Sequence, residues 1–152
     1  MAKFSFNGMD SLEIGFEQLS NFSEEEKVFI LMPSAQLLLQ RQKEKLLQLF
    51  KRRTGDLENS LTISVESGDE GPKVTIYPQG KHRKSFTGKR IRNGRSRGKY
   101  SGTNAEVAYI LNYGSPRIQP THWLELANEE AEAEVIAAQQ DAFDELLEKK
   151  GL

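Results

Sequence analysis

The sequence predicts an α+β fold, in which an antiparallel β-hairpin is packed by a long N-terminal helix, a short central helix and a long C-terminal helix, with a mobile basic loop inserted before the central helix. Three observations predict it. Apolar residues recur at three- and four-residue steps from Val28 to Phe50 and again from Leu124 to Leu146, the period of a helix face. Between them, Leu61, Ile63 and Val65 alternate with Thr62, Ser64 and Glu66, and after Gly68-Asp69-Glu70-Gly71 the alternation resumes at Val74 and Ile76, which is the pattern of a hairpin. Two capping boxes, Ser23 with Glu26 and Thr103 with Glu106, mark helix starts: the hydroxyl caps the third helical N–H while the carboxylate reaches back to the cap's own N–H.

Met1 to Gly8 reads as a loose tail or an edge strand at Lys3 to Phe6, and Met9 to Leu19 places Leu12, Phe16 and Leu19 at helical spacing. The principal helix leaves Ser23 with the stripe Val28, Leu31, Ala35, Leu38 or Leu39, Leu46, Leu49 and Phe50, and keeps Gln40 to Lys45 polar. Pro33 is expected to bend or split it near Met32, because the ring clashes with the carbonyl four back and supplies no N–H. Lys51, Arg52 and Arg53 complement the negative end of the helix dipole, and Gly55 is expected to end the helix. The hairpin then opens at Pro72 on its second strand and finishes at Pro78.

Residues 79–102 carry five glycines among basic residues and few large apolar side chains, a composition that buries too little to offset its ordering entropy. A mobile arm is expected there, with a second hairpin around Asn93-Gly94 and Ile91 and Tyr100 at its base. Thr103 then starts the central helix, whose apolar face is Val107, Ile110 and Leu111, and Gly114 closes it. Pro116 and Pro120 forbid helix through Ser115 to Pro120, Thr121 can cap the last helix, and Trp123 and Leu124 open it as an apolar anchor. Its stripe is Leu124, Ala127, Ala131, Val135, Ala138, Ala142 and Leu146. The alanines admit a close neighbour, either the principal helix or a second copy of the chain, and Ile136, Phe143 and Leu147 widen the stripe at its end.

A length of 152 residues predicts one domain, 1–152, with 1–8 as a flexible tail and 79–102 as a basic glycine-rich arm. The absence of cysteine removes disulfides, thiolate zinc sites and cysteine nucleophiles. No charged-then-apolar leader opens the sequence and no apolar run approaches about 18 residues, so neither export nor a membrane span is expected. The hydrophobic fraction is 37% and the charged fraction 28%, a balance that suits mobile segments or surfaces covered by a partner. His82 and His122 are the only imidazoles, and neither a metalloprotease, a serine-nucleophile nor a phosphate-cradling motif is present. No catalytic residue, cofactor or metal ligand is therefore expected. His122 reads as a helix-start residue, and the C-terminal carboxylates as a solvated face.

The net charge of −1 hides a strong segregation. Lys81, Arg83, Lys84, Lys89, Arg90, Arg92, Arg95, Arg97 and Lys99 stand in one stretch without an acid. Thr121 to Leu152 holds nine carboxylates against Lys149 and Lys150 alone. The basic stretch can contact phosphates without reading sequence, lie as a solvated loop, or dock on an acidic protein face. Phe86 and Tyr100 are too few to form a base-stacking platform.

Thr54-Gly55-Asp56-Leu57-Glu58-Asn59-Ser60 and, far downstream, Ala108 through Gly114-Ser115 and Pro120 to Trp123 share an order and spacing. Together they resemble the head-to-tail joining, or tail-completion, proteins of long-tailed double-stranded DNA bacteriophages, over about Met9 to the C-terminus. Asn112 stands where that pattern has an acidic residue, and Trp123 where it has Phe. The resemblance implies a virion structural protein that forms a ring, most simply a hexamer, completing the tail or joining tail to head, assembled in the bacterial host cytoplasm with other tail or neck proteins. It implies fold and interface roles for Thr54, Gly55, Leu57, Ser60, Tyr109, Tyr113, Gly114, Pro116, Pro120 and Trp123, and a DNA-channel or subunit contact for the nine basic residues. A second expectation, from the residues alone, is a sequence-independent nucleic-acid-binding protein working through the 81–99 arm.

Overall fold

The computed structural model describes residues 22–50, 55–69, 71–81, 90–92, 95–97 and 102–151, with the backbone alone for 90–92 and 95–97. The expected tail and helix before Asn21, the Lys51 to Arg53 cluster, Thr54 and Tyr100 lie outside these residues. The order of elements is α1 (Glu24–Leu49), α2 (Asp56–Ser60), β1 (Leu61–Gly68), β2 (Gly71–Pro78), β3 (Arg90–Arg92), β4 (Arg95–Arg97), α3 (Asn104–Tyr113) and α4 (Trp123–Lys150). The molecule is mixed helix and sheet, as the sequence predicts.

Both capping boxes form. Ser23 Oγ accepts from Glu26 N at 3.2 Å while Glu26 Oε2 accepts from Ser23 N at 2.9 Å, and Thr103 with Glu106 repeats the arrangement. Lys150 hydrogen-bonds the Glu26 carboxylate from the far end of α4, and with the Ser23 N–H it holds that carboxyl below its usual range.

Pro33 does not split α1, which runs unbroken from Glu24 to Leu49. The ring is exposed, so the carbonyl it leaves without a donor belongs to Phe29 on the outer side. On the inner side Ser34 and Ala35 are buried, and Ser34 Oγ donates to Leu31 O at 2.7 Å while accepting from Gln139 of α4 at 3.1 Å. Packing along α4 thus holds the helix through the proline. Gly55 does not end α1 either: the helix closes at Phe50, whose N–H reaches Leu46 O, and Gly55, at φ 75°, is the left-handed residue from which α2 starts.

β1 and β2 pair antiparallel in the register Leu61↔Pro78, Ile63↔Ile76, Val65↔Val74 and Gly68↔Gly71, so a two-residue connection joins them. The second strand begins one residue before Pro72, at Gly71. α1 packs on both strands, and Leu61 meets Leu46, Ala108 and Trp123 in the core. β3 and β4 form the second hairpin around positions 93 and 94, as expected, with Ile91 paired to Ser96 in the register Arg90↔Arg97 and Arg92↔Arg95; Tyr100, expected at its base, lies outside the described residues. Successive residues of a strand alternate faces, so this register places all four arginines at one face and Ile91 and Ser96 at the other. The arm springs from a bridge between Lys81 and Thr103, beside which Asn104 binds Gly80 O and Gln79 O.

α4 lies antiparallel along α1. Ala127, Ala131 and Ala142 are buried, which settles the alanine stripe as a seam against the principal helix of the same chain. Ion pairs rim the seam: Arg41 grips Glu134 with two nitrogens at 2.7 and 3.0 Å, Lys45 meets Glu130 at 2.6 Å, and Lys150 meets Glu26 at 2.8 Å. At its end Phe22 sits edge-on to Phe143 at 6.0 Å, with the Lys150 ammonium 4.7 Å above the Phe22 ring. Partly exposed pairs of this kind contribute at most about 1 kcal/mol each, so they fix the helices' register more than they hold them together.

The unbroken α1 makes Pro33 a local cost. Pro33→Ala restores one backbone bond and removes the ring clash, and is expected to raise stability by about 1 to 3 kcal/mol. A denaturant midpoint that falls in the variant would contradict this account.

Candidate functional site

The end of α3 and the beginning of α4 meet at a right turn of the chain that places a pair of tyrosines on the surface. α3 ends because Gly114, at φ 82°, turns away from helix while its N–H still reaches Ile110 O. A Cβ at Gly114 would stand 2.7 Å from Ile118 O and 2.9 Å from Pro120 N, so only glycine fits. Ser115 and Ile118 then exchange both backbone hydrogen bonds, at 2.8 and 3.1 Å, and pin Pro116 and Arg117 in a tight exposed turn.

The returning strand satisfies the last carbonyls of α3. Thr121 donates to Leu111 O through both its hydroxyl, at 2.7 Å, and its N–H, and His122 N–H reaches Asn112 O at 3.0 Å. Thr121 therefore does not cap α4, contrary to the expectation from the sequence; its hydroxyl is committed to α3. The N-cap position belongs to His122, which is left-handed at φ 50° and offers no side-chain cap.

The capping role passes to Asn112. Buried at the end of α3, it accepts from Leu124 N–H at 3.0 Å and donates to Glu125 Oε1 at 3.0 Å. This is the capping-box chemistry of oxygen to helical N–H and third-residue carboxylate back to a donor, supplied here by a side chain of another helix. Burial pushes the Glu125 carboxyl up, but its own N–H, the Asn112 amide and the nearby His122 prevail and hold it below the usual carboxylate range. Alongside, Gln42 of α1 donates to Asn128 of α4 at 2.9 Å.

Trp123 is the anchor that the sequence predicts, 2% exposed, with its indole N–H 3.4 Å from Ala108 O. Leu57 packs against the same core, so the structure brings the two separated motif pieces together through Leu57, Ala108 and Trp123. Gly55 and Ser60 are buried at the two ends of α2, and Pro116 and Pro120 are exposed on the connecting turn.

Tyr109 and Tyr113, one turn apart on α3, meet with ring centres 4.8 Å apart and planes tilted by 48°, yet remain 63% and 52% exposed. They rim an apolar groove of about 200 Å³ lined by Ile76, Pro78, Ala105 and Leu124, with Trp123 behind. His122 meets Tyr113 edge-on at 6.3 Å. Of the basic residues, Lys81 is exposed at the stem of the arm and Arg90, Arg92, Arg95 and Arg97 take the positions given by their ladder; Arg83, Lys84, Lys89 and Lys99 lie outside the described residues.

The sequence reading missed Asn112, Glu125 and the Gln42–Asn128 pair. A signal existed, since Asn112 falls four residues after Ala108 on the inward face of α3, where an apolar residue is the ordinary choice. Among the described residues no group of three or more His, Cys, Asp or Glu is placed to hold a metal ion, and no helix is long and apolar enough to cross a membrane. No protein-family model matches the chain, and searches of curated proteins and of solved structures return no match.

Asn112→Asp reverses the sign of the acid dependence at this junction. In the native chain the depressed Glu125 carboxyl stabilises the fold above its unfolded pKa, and that contribution is lost as pH falls. In the variant two carboxylates share the site, one is forced up, and stability is instead lost as pH rises. A deficit of about 2 kcal/mol at pH 7 that narrows towards pH 4 is expected in urea titrations; an equal deficit at both pH values would refute the assignment.

Proposed function

We propose that this chain is a non-catalytic structural subunit of a long-tailed bacteriophage virion, forming a ring that completes the tail or joins it to the head. The observation that carries the reading is the closely packed and exposed Tyr109–Tyr113 pair, set over an apolar groove at the α3–α4 junction. Tyrosines cost little conformational entropy to immobilise and are enriched at the centres of protein interfaces. The convergence of Leu57, Ala108 and Trp123 supports it, because the residues carrying the resemblance to tail-completion proteins then act as one unit beneath this face. A closed ring needs two different complementary patches on each subunit, and the segregated charge provides them. On this reading the partners are further copies, most simply six, and the neighbouring tail or neck proteins, and the working location is the virion.

The four-arginine ladder favours a second reading, a sequence-independent nucleic-acid-binding protein. Salt-sensitive binding of random duplex DNA by the monomer would select it over the ring.

Light scattering after size exclusion at about 0.1 M salt, where charges are screened beyond roughly 10 Å, is the direct test. The native chain is expected to give a defined multimer, and Tyr109→Ala with Tyr113→Ala a folded monomer of unchanged circular dichroism. A native chain that stays monomeric at high concentration and is not taken up by tails lacking their terminal ring would overturn the proposal.

A further inference from the structure

We infer that the arginine face of the β3–β4 hairpin docks on the outer face of α4 of a second copy, which makes this the head-to-tail contact of the ring and rests on the self-assembly reading above.

The inner face of α4 is spoken for. Its alanines pack on α1, and Glu130 and Glu134 pair with Lys45 and Arg41. The outer face has a different character. Leu126 and Ile136, 39% and 46% exposed, stand with the exposed Ala133 at helical steps, and Glu129 and Glu132 lie between them. Among the described residues Glu129 and Glu132 have no ion-pair partner, in contrast to the inward-leaning carboxylates of the same helix. A ridge of this kind fits a partner that brings cations on long apolar stems. Arginine supplies both, a guanidinium that binds carboxylates in pairs and a three-carbon stem that covers apolar surface.

The hairpin presents four arginine positions at one face of a ladder. Positions two apart on a strand are about 6.7 Å apart, and positions four apart on a helix rise by about 6 Å. A ribbon laid along α4 therefore keeps pace with positions four apart, while Glu129 and Glu132, three apart, rise by about 4.5 Å, a difference that long arginine stems can take up.

Charge decides between a second copy and a nucleic acid. A nucleic-acid-binding domain is ordinarily basic overall, with a pI above about 9, whereas this chain has a pI near 6.2 and a net charge of −1. Nine cations within 81–99 face an excess of seven carboxylates within 121–152, so copies joined arm to helix come close to neutralising one another. A duplex on the arm would leave the acidic helix uncovered and repelling phosphate.

Charge reversal in both directions tests the contact. One variant carries Arg92→Glu and Arg95→Glu, the other Glu129→Arg and Glu132→Arg; all four sites are exposed or on the hairpin ladder, and circular dichroism checks the fold. In sedimentation at about 0.1 M salt each variant alone is expected to lose at least tenfold in self-association. A one-to-one mixture restores it, because each interface then finds either two native faces or two reversed ones, and a chain carrying all four substitutions assembles by itself. Native-like multimers from either single variant would overturn this interface while leaving the ring intact. Monomeric variants that neither mixing nor the fourfold chain rescues would also overturn it, as would a fourfold chain that regains stability as a monomer, which is the mark of contact within one chain. Loss of duplex binding by the arm variant with self-association unchanged would assign the arginine face to nucleic acid. A native chain that never self-associates would overturn the ring reading itself.

Discussion

One buried amide holds the two halves of this molecule in register. Asn112 ends one helix and starts another: its carbonyl oxygen takes the free N–H of Leu124, its amide nitrogen steadies the Glu125 carboxylate, and its backbone carbonyl receives His122. A hydrogen bond is worth only about 1 kcal/mol net, but a buried group left unpaired costs more than that, so the three bonds act as a joint that tolerates one geometry. Trp123 inherits its place from that joint. Its indole enters the core beside Leu46, Leu61 and Ala108 because the chain is returned at the end of α3 and nowhere else. The left-handed His122 and the glycine-only conformation of Gly114 are the local strain that the joint holds in place.

The helix pair is built by different means. Alanine at three turns of α4 lets the two backbones approach, and the ion pairs along the rim discriminate against a slipped register. The same division separates α4 into an inner face packed on α1 and an outer face that no other element covers among the described residues. Charge within the subunit therefore serves alignment, through the Arg41–Glu134, Lys45–Glu130 and Lys150–Glu26 pairs.

Much of the architecture was legible in local sequence, because its signals act over three or four residues. Ser23 with Glu26, Thr103 with Glu106, the alternation from Leu61 to Ile76 and the pairing of the strands on either side of positions 93 and 94 all agree with the sequence. The failures at Pro33 and Thr121 share a cause, which is competition from residues elsewhere in the chain. Pro33 leaves α1 whole because α4 braces the buried side of the helix. Thr121 has the chemistry of a cap but was taken by Leu111, and the cap that replaced it comes from 12 residues upstream. Gly55 carries the positive φ of a helix terminator yet serves the start of the next helix. At the candidate site the tyrosines and Trp123 could be named from sequence, whereas the polar joint beneath them could not, since an asparagine two residues before a glycine reads equally well as turn chemistry.

The seam between α1 and α4 also sets an order of events. Its bonds join residues 85, 93 and 105 positions apart, while the β1–β2 hairpin closes over fewer than 20. Loop-closure entropy grows by about 0.6 kcal/mol for each doubling of length, so the hairpin starts with an advantage of roughly 1 to 2 kcal/mol over the seam. Contacts of such long range are the slow ones in small domains. The seam that seats the C-terminal helix on α1 is therefore expected to close after the hairpin. The outer ridge of the C-terminal helix is then among the later parts of the surface to be fixed in place.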